Sequence, residues 1–345
     1  MRGSFLASRR LRSRGAFGAL MSVALAGSAV LSTSAATAAP KPTVAEVQKK
    51  VSKLRDQAEQ ASEAYNDTRE ELKSVNVRLK AAHTKVAAQT VELNKAKAKV
   101  GQLASETYRR GQLSTLDLML GDDPDSALAQ AGYLPSLGER QAAAMNRLAD
   151  GERKLAATEA EIKAQQAKAE AGQAKLAKTR ATVRKRLKAA DAQLRTMTAS
   201  QRAAYNNSED ADVPAGADAS FCRGKAADAP SAAAKTALNF ACDQIGDAYL
   251  WAAAGPTRWD CSGLTMESYA AAGISLPHSS RLQAGYGTSV STSNLQPGDL
   301  VFFHSPISHV GIYLGGGLMV HAPHSGTVVK VASLYETPSA AVRLG

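Results

Sequence analysis

The chain has 345 residues, 44% hydrophobic and 21% charged, with 42 Lys and Arg against 31 Asp and Glu and only three cysteines. That is more chain than one small core requires, and the cysteine and histidine spacings match no structural zinc pattern, so a single minimal domain and a zinc-built scaffold are both excluded. The net charge of +11 is uneven: residues 41–208 hold 30 basic against 20 acidic side chains, whereas residues 209–345 hold 7 against 11.

Residues 1–38 have the pattern of a secretory signal peptide. Arg2, Arg9, Arg10, Arg12 and Arg14 come first with no acid among them, and Ala16 to Leu31 is an apolar stretch too short for a membrane span. Ala36-Thr37-Ala38 offers a cleavage site, so an exported, extracytoplasmic protein is expected. Arg9-Arg10 is followed by Arg12 and Ser13 rather than an apolar pair, which favours the general export route over a twin-arginine one.

From Val44 an apolar residue recurs every seven positions through Val51, Ala58, Tyr65, Leu72, Leu79, Val86, Leu93 and Val100. A second set three residues on, Val47, Leu54, Ala61, Val75, Ala82, Ala96 and Leu103, completes a coiled-coil seam broken by Thr68 and Gln89. Residues 111–138, rich in Gly, Asp and Pro, predict a break. A second helix is expected from about Glu139 to Tyr205, with Leu148, Leu155, Ile162, Ala169, Leu176, Val183, Ala190 and Met197 at seven-residue steps and polar Glu152, Glu159, Gln166 and Gln173 on the companion seam. Matching lengths predict an antiparallel hairpin over residues 39–205 with its tip at 111–138. Leu116, Leu118, Met119 and Leu120 in that tip either dock a partner or cap the coil locally. The basic surplus lies on this rod, where an exported protein meets anionic polymers or lipid headgroups rather than nucleic acid, or simply keeps its helix flanks solvated.

Residues 206–231 are a linker by composition. Beyond it, residues 232–345 are enough for one α+β core: a helix over Ala232 to Ile245 capped by Ser231, then strands at Val301 to His304, Val310 to Leu314, Leu318 to His321 and Val328 to Val331.

The chemistry centres on Trp259-Asp260-Cys261-Ser262-Gly263-Leu264. The following apolar run reads as a helix that Ser262 or Asp260 can cap, and a cysteine at its N-terminus would have its thiol pKa lowered by the helix dipole. Five of six histidines, His278, His304, His309, His321 and His324, follow that cysteine. His309 and His321 lie on two apolar strands joined across Gly315-Gly316-Gly317, and a hairpin there makes them near neighbours. One imidazole can then take the thiol proton while the other orients it. If Cys261 is the free nucleophile, Cys222 and Cys242 remain as a disulfide pair, although spacing leaves Cys242 with Cys261 open as well.

Six segments in order carry a resemblance: Tyr249-Leu250-Trp251; Asp260-Cys261-Ser262-Gly263-Leu264; Leu276-Pro277 with Ser280 and Gln283; Leu295-Gln296-Pro297-Gly298-Asp299-Leu300; His309-Val310-Gly311-Ile312-Tyr313-Leu314-Gly315; and His321-Ala322-Pro323. Over about residues 232–345 the chain resembles the NlpC-type cysteine peptidases of bacterial cell walls, which have a reduced papain-like fold. The resemblance implies Cys261 as nucleophile, His309 as general base and His321 as orienting residue, with Tyr249, Asp260, Ser262 and Ser280 shaping the substrate site. It implies hydrolysis of the D-glutamyl to diaminopimelate bond of peptidoglycan stem peptides, without a cofactor or metal. It also implies a membrane divisome complex resembling an ABC transporter as a partner of the coiled coil, while the architecture of a long rod tethered to a hydrolase suggests that the rod occludes the groove until such a partner binds. Trp251-Ala252-Ala253-Ala254-Gly255 and Pro277-His278-Ser279-Ser280 depart from the usual Trp-Gly-Gly and Pro-Arg-Thr-Ser near the groove, with His278 expected to line it. The competing classes are a non-catalytic coiled-coil activator and a wall amidase or acyltransferase on the same fold.

Overall fold

In a computed structural model, residues 43–109, 124–206 and 213–345 are described, with the side-chain surroundings of 107 and 124–137 left aside. The leader, its cleavage site and the leucine cluster at 116–120 lie outside them.

Two long helices, α1 (Val44–Arg109) and α2 (Pro124–Leu194), pair along their length. The seam predicted for α1 is the buried one: Val47, Val51, Ala58, Val75, Ala82, Leu93 and Leu103 are all under 9% exposed. At the base of the rod, Val47 and Val51 pack with Ala190 and Met197. Antiparallel pairing is fixed by two glycines of α2. A Cβ at Gly151 would meet Leu93 at 3.1 Å and one at Gly172 would meet Leu72 at 2.8 Å, so each glycine makes room for a leucine of α1. Two expectations for α2 need correction. It begins at Pro124 rather than near Glu139, proline being tolerated in a first helical turn where its missing N–H has no acceptor. Its companion seam is one residue earlier than expected: Thr158 and Gln165 are buried while Glu152, Glu159, Gln166 and Gln173 are exposed.

A short helix, α3 (Ala199–Asn206), ends the rod. Part of the compositional linker is helical, as α4 (Ala219–Ala226), because Asp218 caps it by accepting from the Ser220 and Phe221 amides. A disulfide joins Cys222 of α4 to Cys242 of α5 (Ala232–Asp243), whose N-cap is Ser231.

The C-terminal module adds β1 (Ala248–Tyr249) and β2 (Arg258–Trp259), helices α6 (Cys261–Ala271) and α7 (Ser280–Gln283), and strands β3 (Thr288–Ser289), β4 (Leu300–Phe303), β5 (His309–Gly315), β6 (Leu318–His321), β7 (Lys330–Ser333) and β8 (Ala340–Arg343). The last six form one sheet in the order β3-β8-β4-β5-β6-β7, antiparallel throughout. Alternate side chains separate the two faces. Leu300, Phe302, Val310, Ile312 and Val320 join the main core beneath α5 and α6, while Val301, Phe303, Met319 and Ala332 fill a smaller cluster on the other side. Asp299, 1% exposed, takes two hydrogen bonds from Arg343 and one from the Gln296 amide, tying the Gln296-Pro297-Gly298-Asp299 turn to β8. Among the described residues no helix is long and apolar enough to cross a membrane.

Candidate active site

Asp260 starts the site. Its extended backbone precedes α6, and its Oδ1 accepts from the Gly263 amide at 2.6 Å, so of the two capping candidates Asp260 is the one used. That places Cys261 at the first helical position. Gly263 is required here, because a Cβ would lie 2.2 Å from the Ala253 carbonyl oxygen. Gln283 then locks α6 to α7, donating to the Ser262 and Pro277 carbonyls at 2.9 Å while accepting from Thr265 Oγ1 at 2.7 Å.

The two histidines come from the sheet. The β5–β6 register pairs Ile312 with Val320, so period two puts His309 and His321 on the same face, diagonal to each other. His309 Nε2 and His321 Nδ1 are 2.8 Å apart. A ring nitrogen of His309 lies within 4.8 Å of Cys261 Sγ. Tyr249, Ser262, His278 and Ser280 are buried around the same cleft, and His278 Nε2 bonds both oxygens of Asp260 at 2.8 and 3.0 Å. Burial disfavours the His278 cation, but the Asp260 charge and hydrogen bond outweigh it and raise the pKa. Burial first, then the negative groups around it, push the Tyr249 phenol well up, which keeps it a neutral donor. His304 and His324 stand apart, bonded to Ser308 and Arg55 respectively.

The cleft is already filled, and by residues that sequence reasoning assigned only to the rod. One face of α1 enters it. Glu63 Oε1 accepts from Ser262 Oγ at 2.8 Å and lies 3.9 Å from Cys261 Sγ, while Glu63 Oε2 accepts from both the amide and the hydroxyl of Ser280. Glu59 pairs with His309 Nδ1, on the nitrogen needed for the thiol proton. Asn66 Nδ2 donates to Asp260 Oδ2 at 3.1 Å and to Ser262 Oγ at 3.3 Å. Asp67 pairs with Arg281 and accepts from Ser279, and Tyr65 packs edge-on to Trp251 with ring centres 5.4 Å apart. A signal for this was present: residues 56–71 carry six acids, Asp56, Glu59, Glu63, Asp67, Glu70 and Glu71, against the single base Arg69, inside an otherwise basic rod.

These acids reverse the expected effect of the helix dipole. Burial, then the charges of Glu63, Glu59 and Asp260, raise the Cys261 thiol well above its ordinary pKa, so in this closed arrangement it is a protonated thiol. Glu63 is itself pushed up to about 7, by burial and then by the Asp260 charge, against the hydrogen bonds from Ser280 and Ser262.

With that geometry established, comparison with known proteins is decisive for the module. Residues 246–343 match the model of the NlpC/P60 family. These residues are an NlpC/P60 domain. A probable endopeptidase of Mycobacterium tuberculosis is 50% identical over 91 residues, which cover 26% of this chain and 24% of that protein. A probable endopeptidase of Corynebacterium glutamicum is 44% identical over 120 residues, covering 32% and 57% respectively. The probable endopeptidase p60 of Listeria monocytogenes is 52% identical over 84 residues, 24% of this chain and 17% of that one. The chain therefore spans less than two thirds of each of these relatives. A solved NlpC/P60 family protein from Bacillus cereus is 31% identical, covers 33% of this chain and 40% of that one, and has a TM-score of 0.31.

Proposed function

We propose that the chain is an exported cell-wall endopeptidase whose NlpC/P60 domain hydrolyses the D-glutamyl to diaminopimelate bond of stem peptides, and that α1 holds it latent. The observation supporting the reaction is the single cleft containing Cys261 at a helix start and the His309–His321 pair. In the open cleft His309 Nδ1 takes the Cys261 proton and the thiolate attacks the amide carbonyl. The first-turn amides of α6 face the developing oxyanion. His309 then passes its proton to the leaving amine, and water hydrolyses the thioester with His309 again as base. His321, through its contact with Nε2, sets the orientation of the His309 ring.

The groups that hold Glu63 support the substrate assignment. Ser262 Oγ, the Ser280 amide and Ser280 Oγ cradle a carboxylate beside the nucleophile, which is what a D-glutamyl residue linked through its side chain would present. Latency follows from the same contacts, since substrate and Glu63 compete for one set of donors. A membrane complex acting on the rod is the trigger that the resemblance implies.

The test is mass spectrometry of a muropeptide carrying that bond, incubated with the full chain, with residues 213–345, and with the short form bearing Cys261→Ala. The short form starts at 213 so that it keeps all of α4 and its Asp218 cap. Cleavage at that bond by the short form, absent in the alanine variant and slow in the full chain, is the expected result. Absence of cleavage by a folded short form refutes the endopeptidase reading and favours the inert activator. A product at another bond favours the amidase or acyltransferase.

A further inference from the structure

The closed cleft assembles a set of ligand atoms that neither the rod nor the peptidase domain holds alone. Glu59, Cys261 and His309 each point one donor atom at a common centre, all three atoms within 4.8 Å of one another and all three residues buried. These three protein atoms leave a fourth position for water; Glu63 Oε1, 3.9 Å from Cys261 Sγ, lies beside the set rather than in it. We propose that this is a Zn²⁺ site, formed only when α1 occupies the cleft, through which zinc locks the latent form.

The donor chemistry selects the ion. One thiolate, one imidazole nitrogen and one carboxylate oxygen, with water in the fourth position, make a set suited to Zn²⁺, whereas Mg²⁺ and Ca²⁺ require oxygen alone. Tetrahedral bonds of about 2.0–2.3 Å place ligand atoms roughly 3.3–3.6 Å apart, within reach of the observed spread by side-chain rotation. Outer contacts that fix ligands are present too. His309 Nε2 is held by His321 Nδ1 at 2.8 Å, the pattern that orients a metal-binding imidazole.

The local charge also calls for a cation. Glu59, Glu63 and Asp260 are each at most 9% exposed and surround the Cys261 sulfur, while among the described residues Glu63 forms no salt bridge. Buried carboxylates are retained at low cost only when paired or coordinating a metal. Zinc entry would displace two protons, the thiol proton of Cys261 and the one shared between Glu59 and His309. The ligands come from α1, α6 and β5, so no local spacing in the sequence could have shown the site. Because one of the three, Glu59, belongs to α1, binding stabilises closure by mass action.

The inference depends on the closed cleft, not on which bond the enzyme cuts, and its test needs no substrate. Co²⁺ is titrated into the reduced-handling, chelator-stripped full chain with its disulfide intact, and the thiolate-to-cobalt absorption band is followed, then displaced with Zn²⁺. One equivalent should produce the band. Cys261→Ala should abolish it, and Glu59→Ala should weaken binding at least about tenfold. Glu59→Gln, which keeps a hydrogen-bonding group opposite His309, covers the case in which the alanine variant fails to fold, and should also weaken binding about tenfold. Zinc should further slow amide exchange across residues 59–67 in the wild type. No thiolate band, or affinity unchanged in the folded glutamate variants, overturns the proposal; the second result would leave metal on the cysteine–histidine pair alone.

Discussion

Glu63→Ala should unlock the cleft, and the thiol itself reports it. The chain has three cysteines, two in the disulfide, so Cys261 is the only free thiol and alkylation by iodoacetamide is a clean readout. In the closed form that thiol is 1% exposed and held protonated, so reaction requires opening and its rate measures the open fraction. The substitution removes the bonds from Ser262 Oγ, Ser280 N and Ser280 Oγ. At about 1.5 kcal/mol each, less about 2 kcal/mol for the carboxylate that no longer has to be dehydrated, closure loses about 2–3 kcal/mol, or roughly 30- to 150-fold in open population. The experiment is a mass-resolved time course with EDTA present, comparing full chain, Glu63→Ala and residues 213–345. The short form should react fastest and the variant should approach it. A variant rate within twofold of wild type, beside a fast short form, would refute the role given to Glu63 in closure.

The same assay carries a pH signature. Glu63 sits near 4.5 when exposed and at about 7 in the closed cleft, so closing takes up a proton. The raised value means that closure is fully favoured below about 4.5 and weakens as pH rises through 7. In EDTA, the ratio of wild-type to Glu63→Gln alkylation rates should therefore climb between those limits and level off above them, since glutamine copies the neutral acid; a flat ratio rejects the coupling. In residues 213–345, His321→Ala should lower kcat on a stem-peptide substrate by about 100-fold with little change in KM, as expected for loss of a group that orients the base. An effect on KM alone would make His321 a packing residue. Replacing Cys222 and Cys242 together by serine should cost the short form about 3 kcal/mol for a bridge spanning 20 residues, lowering Tm by roughly 10 °C; an unchanged thermal melt would deny the disulfide a stabilising role.

What the sequence made legible depended on how each feature is encoded. The α1 seam is written in large aliphatic residues at a fixed period and was readable position by position. The companion seam of α2 is one residue from its expected place because its occupants include Gly151, Thr158 and Gly172, whose value lies in being small or hydrogen-bonded rather than apolar, together with the buried Gln165. Strands β5 and β6 stood out through continuous apolar runs, but β3 at Thr288–Ser289 has no apolar residue and pairs with β8 only through backbone groups. Strand β7 proved to be Lys330–Ser333 rather than Val328 to Val331, since Val329 bonds instead to Asp247. Cys261, His309 and His321 can be singled out in the sequence because thiol chemistry demands those residue types, and the structure brings them to one cleft. Glu59, Glu63 and Asn66 were missed because polar residues on a coiled coil look like a solvated face until a second domain is placed against them.

That placement explains how closure can be both firm and releasable. Glu59, Glu63, Asn66 and Asp67 are four, three and one residue apart, so they share one side of a continuous helix and cannot leave the cleft independently. Their partners, Ser262, Ser279, Ser280, Arg281 and His309, belong to the NlpC/P60 domain, and several are groups the proposed substrate would also need. Altering those donors to tune the latch would alter substrate binding with it, whereas changes on α1 touch closure alone. The freedom to set the threshold therefore lies in the rod. Because α1 is packed against α2 along its seam, a rotation or lateral shift of the hairpin moves every inhibitory side chain together, and opening becomes a single cooperative event rather than a gradual loss of contacts.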